Sequence, residues 1–90
     1  MPYIKQEDRA YLNGPIDALI IRLRSMPADA QGGALNYAVT RILLSLVEQR
    51  YASMRSFVGD LTCCLLEFYR RHVGPYEDIK IQENGDVEGR

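Results

Sequence analysis

Seven apolar residues in the middle of the chain, Leu35, Ala38, Val39, Ile42, Leu43, Leu46 and Val47, recur at i, i+3, i+4, i+7, i+8, i+11 and i+12. That is the period of an α-helix with one apolar stripe; a strand would alternate with period two. Two further segments carry the same period. Ile16, Leu19, Ile20 and Leu23 follow Pro15, a residue suited to a first helical position. Phe57, Val58, Leu61, Cys64, Leu65 and Phe68 form a third stripe. The fold class expected is all-α: a small helical bundle of three main helices with short N- and C-terminal helices.

Local punctuation sets the expected boundaries. Gln6 to Leu12 reads as a short helix, which Asn13-Gly14-Pro15 should break or kink, because proline disfavours α geometry in the residue before it. Met26-Pro27 ends the next helix. The middle helix is expected to start after Asp29, a plausible N-cap, or after Gly32-Gly33, and to end near Tyr51. The third is expected from about Met54, capped by Ser53, to Val73. There Gly74 can take the left-handed geometry of a helix end and Pro75 enforces the stop. Residues 75 to 83 read as a last short helix closed by Asn84-Gly85. The alternative is a strand, since Ile79-Lys80-Ile81-Gln82 alternates. Residues 1 to 90 are read as one domain, with a frayed tail over about 85 to 90.

A chain of 90 residues has little room for a second core, and one this short buries only somewhat more than ~60% of its unfolded surface. Oligomerisation is a common remedy. Three residues lie away from the main stripe of the middle helix or just beyond it: Tyr37, Leu44 and Tyr51. Leu66, Tyr69 and Val73 widen the apolar arc of the third helix. These six form a candidate interface, most simply with a twofold copy. A net charge of −1 gives no electrostatic footprint for duplex DNA or anionic lipid. The opening residues hold no apolar signal region, and no apolar run approaches a membrane span. Adjacent Cys63 and Cys64 point ~100° apart on a helix, cannot bridge without strain, and read as free thiols of a cytoplasmic protein.

Charge concentrates with aromatic residues and the single histidine in Glu67, Arg70, Arg71, His72, Tyr76, Glu77 and Asp78. The arginines stand at an expected helix C-terminus, where the dipole suits cations and repels an added anion. Glu67 and Arg71 are spaced for an i,i+4 pair, and Glu77 and Asp78 are placed to take up Arg70 across the Gly74-Pro75 corner. This charged corner therefore reads as structural, or as a site of interaction, with no catalytic residue, metal ligand or cofactor assigned. His72 has no Ser or Cys partner within reach on its helix. Carboxylates three apart on one face would suit magnesium and phosphate chemistry, as in the MazG-like nucleotide pyrophosphatases with their Glu-x-x-Glu followed by Glu-x-x-Asp. Glu48 and Glu67 stand alone on their helices, and Glu83-Asn84-Gly85-Asp86 is interrupted by Asn-Gly.

Leu35-Asn36-Tyr37, Glu67-Phe68-Tyr69-Arg70-Arg71, Pro75-Tyr76-Glu77-Asp78 and Glu83-Asn84-Gly85-Asp86-Val87 resemble an uncharacterised family of small helical proteins from phages and bacteria. The opening Pro2-Tyr3-Ile4-Lys5 fits as well. The resemblance implies one intracellular helical domain with no assigned activity. The function expected is a non-enzymatic interaction or structural module acting as a homodimer. Two alternatives are a magnesium-dependent nucleotide hydrolase and a nucleic-acid binder using Arg22, Arg24, Arg41, Arg70 and Arg71.

Overall fold

A computed structural model describes residues 3–88. Its elements are α1 (Gln6–Arg24), α2 (Ala28–Leu46), α3 (Tyr51–Phe68), a π-helical segment (Tyr69–Val73) and α4 (Gly74–Asn84). The described residues contain no strand, so the chain is all-α. It divides into two units, residues 1–50 and 51–90.

In the first unit α1 runs unbroken through Asn13-Gly14-Pro15, and the separate short N-terminal helix expected there does not exist. Gly14 has no Cβ to meet the proline ring, which relieves the clash that usually ends a helix before proline. Pro15 then forfeits a single backbone bond on a helix open to water. Glu7 and Asp8 in the first turn and Arg22 and Arg24 in the last match the helix dipole. Ser25 closes the end, its hydroxyl donating to the Arg22 carbonyl at 2.6 Å.

After the Met26-Pro27 turn, α2 begins at Ala28, earlier than expected. Asp29 therefore sits inside the first turn, favourable to the dipole but not a cap, and Gly32-Gly33 lies within the helix. The Gln31 amide reaches back to donate to the Met26 carbonyl at 3.1 Å, tying the helix to its turn. Val47 is extended, with ψ 137, so α2 stops short of the expected Tyr51.

The second unit holds a larger correction. Its helix starts at Tyr51, which puts Ser53 inside it, and the stop expected at Gly74-Pro75 is missing. Gly74 is right-handed helical, φ −56 and ψ −52, and the chain is helical from Tyr51 to Asn84. In a regular α-helix Pro75 would lack its N–H and press its ring on the Arg71 carbonyl. The π-helical turn answers this by changing register: the Gly74 N–H donates to the Tyr69 carbonyl, five residues back. Residues 75 to 83 are helix, not strand. Gly85, at φ 90, ends α4 and donates to the Ile81 carbonyl at 2.8 Å, as Asn84-Gly85 suggested. Of the tail expected to fray, residues 85–88 are non-helical and residues 89 and 90 lie outside the described residues. Pro2 of the opening motif lies outside them too.

The apolar stripes have the expected helical spacing, but they do not close into a core. No described residue is buried, and Leu19, Ile42 and Leu61, each central to a stripe, remain 39%, 51% and 42% exposed.

Candidate functional site

Two features stand out, one in each unit. In the first unit, a groove of about 500 Å³ runs between the C-terminal half of α1 and α2. Leu19, Leu23 and Met26 line it from the α1 side, and Ala34, Ala38, Ile42 and Leu46 from α2. The small alanines leave the depression that the larger side chains surround. Its polar atoms come from Arg22, Arg41, Tyr37 and Ser45, and no carboxylate among the described residues lines it. The Arg41 guanidinium lies 5.9 Å from the Tyr37 ring centroid, a cation–π contact. Sequence reasoning placed these stripes in a core and did not find the groove. The signal available was the pairing of Leu19 and Leu23 with alanines at 34 and 38.

The second feature is the charged segment around the π-helical turn. It is not a corner, since the helix continues through it. The Glu67 carboxylate accepts from Arg70 at 2.9 Å and lies 3.8 Å from Arg71, with its side chain only 18% exposed. The i,i+4 pair with Arg71 is thus present, but Arg70 turns to Glu67 and does not cross to Glu77 or Asp78. Glu77 is taken instead by Tyr69, whose hydroxyl donates to it. That hydrogen bond, followed by desolvation and the nearby negative charge, raises the Tyr69 phenol above its ordinary 10.0. A phenol shifted this way is a poorer base or nucleophile near neutral pH. The Phe68 and His72 rings stack at 5.5 Å between centroids, which accounts for His72 on the apolar side of the helix. Tyr76 lies under the Lys80 ammonium at 5.6 Å, while Asp78 makes no hydrogen bond or ion pair among the described residues.

The candidate interface residues are distributed over both units. Tyr37 and Leu44 lie on α2, 64% and 68% exposed; Tyr37 borders the groove and Leu44 does not. Tyr51 and Leu66 on α3 are exposed, as is Tyr69, while Val73 is half-buried. Among the described residues no three His, Cys, Asp or Glu side chains converge as a metal site. Of the arginines considered for nucleic acid, Arg70 and Arg71 face Glu67. Cys63 and Cys64 are exposed free thiols. No helix among the described residues is long and apolar enough to cross a membrane.

The chain belongs to a family described as a domain of unknown function, DUF6899, whose model matches residues 1–87. No curated protein and no solved structure matches it.

Proposed function

We propose that this member of a family without assigned activity is a non-enzymatic interaction module of the cytoplasm, working as a homodimer in which two chains complete one helical bundle. One observation carries the reading: the apolar stripes of both units lie open, with no described residue buried. Most helical stability in proteins comes from packing an apolar face against a neighbour. Twenty-five large hydrophobic side chains are exposed among the described residues. A partner packed on these stripes takes apolar surface out of water on both chains. Of the candidate interface, Tyr37, Leu44, Tyr51, Leu66 and Tyr69 belong to this surface, while Val73 is half-buried.

Mass action supplies the test. If folding and dimerisation are one event, the melting temperature rises with protein concentration. A melting temperature independent of concentration over a hundredfold range would show that the chain covers its own stripes and would refute the homodimer.

A further inference from the structure

We propose that the groove of the first unit receives helix α4 of the second copy, so that the dimer is formed by reciprocal exchange of acidic helices into arginine-bordered grooves. This rests on the homodimer reading and specifies its seam.

Charge complementarity carries it. The groove is apolar along Leu19, Leu23, Ala38 and Ile42, and among the described residues its charged lining comes from Arg22 and Arg41. Neither arginine has an ion pair among the described residues. The rest of the chain offers one segment of opposite character. Residues 74 to 88 carry Glu77, Asp78, Glu83, Asp86 and Glu88 against Lys80 alone. Within α4, Ile81 follows Glu77 by four residues and Asp78 by three, so a carboxylate flanks the isoleucine on either side of one helix face. Ile81 is 41% exposed, and Asp78 is without a partner among the described residues. An isoleucine edged by acids meets an apolar groove edged by arginines.

The lengths agree as well. The eleven residues of α4 span about 16 Å, and the α2 wall of the groove from Ala34 to Leu46 spans about 18 Å. Seating Ile81 against Ala38 and Ile42 removes apolar surface from both sides, and the desolvated arginines then face carboxylates instead of water. In a twofold dimer this contact forms twice, once in each direction.

Charge reversal tests the seam. One variant, R22E/R41E, reverses the groove. A second, D78K/Q82K, reverses Asp78, adds a cation one turn on at Gln82, and leaves the Tyr69–Glu77 hydrogen bond in place. Each alone is expected to self-associate on the order of ten- to a hundredfold more weakly than wild type, because like charges are brought together. Mixed in equal amounts, the two are expected to form a heterodimer with wild-type affinity, which also shows that both chains fold. Three outcomes overturn the proposal. Variants that dimerise as tightly as wild type would leave the homodimer standing and remove this seam. Rescue in the chain carrying all four substitutions, with none on mixing, would place α4 in the groove of its own chain. A wild-type chain that is monomeric would refute the homodimer itself, and this contact with it.

Discussion

The Tyr69 hydroxyl donates to the Glu77 carboxylate across the π-helical turn, joining residues eight apart on one continuous helical run. The bond spans the place where Pro75 would otherwise interrupt the helix, and so it holds α4 to α3 where the backbone ladder is irregular. It also fixes a sign. A phenol whose proton is held by a carboxylate titrates above its ordinary 10.0. Its contribution to stability is therefore complete below pH 10 and is lost as pH rises through the higher folded value. Ultraviolet titration of wild type against Tyr69→Phe isolates this phenol. Its transition is expected above 10.0 and should return toward that value in Glu77→Gln. A transition at or below the ordinary value would mean the bond is not formed in solution.

Gly74 and Gly85 should both resist alanine, for different physical reasons. Gly74 is right-handed helical, and a Cβ there would lie at an ordinary 3.4 Å from the Tyr69 carbonyl oxygen. Gly74→Ala is nevertheless expected to lose about 0.5–3 kcal/mol in denaturant unfolding, since a helical residue before Pro75 brings its Cβ against the proline ring. Gly85 sits at φ 90, ψ 148, where alanine is strained, and Gly85→Ala should lose about 1–3 kcal/mol. A gain at Gly74 would mean that a Cβ there does not meet the Pro75 ring.

Pro15→Ala tests the continuity of α1. The proline interrupts the hydrogen-bond ladder of a helix that passes straight through it. Its replacement is expected to raise helical ellipticity and to stabilise by about 2–3 kcal/mol. Unchanged ellipticity with a lower midpoint would indicate that Pro15 begins a helix and is not enclosed by one.

Glu67 holds two arginines on one carboxylate. Glu67→Gln keeps the shape and removes the charge, and about 0.5–1 kcal/mol should be lost at low salt. The difference should shrink in 1 M salt, because both arginines are largely exposed. A difference indifferent to salt would assign Glu67 a packing role and not an electrostatic one.

Much of the fold was legible from periodicity. The stripes at Leu35 to Val47 and at Phe57 to Phe68 identify α2 and α3, and Asn84-Gly85 locates the end of α4. What misled were the two Gly-Pro steps. Gly14-Pro15 and Gly74-Pro75 both look like breaks, and both lie within helix. In each, glycine removes the clash that proline imposes on its predecessor, and at the second a π-helical turn absorbs the missing donor. The charged segment was read correctly for Glu67 with Arg71 and incorrectly for Arg70, because an assumed corner would have brought Glu77 toward it. On a continuing helix Tyr69 is nearer. The groove was not legible, since periodicity shows which residues share a face but not whether anything covers it.

Light scattering on the purified chain across a dilution series tests the central claim most directly. A homodimer predicts a mass of twice the 10.3 kDa chain, falling toward a single chain only on strong dilution. A single-chain mass maintained at high concentration would contradict it.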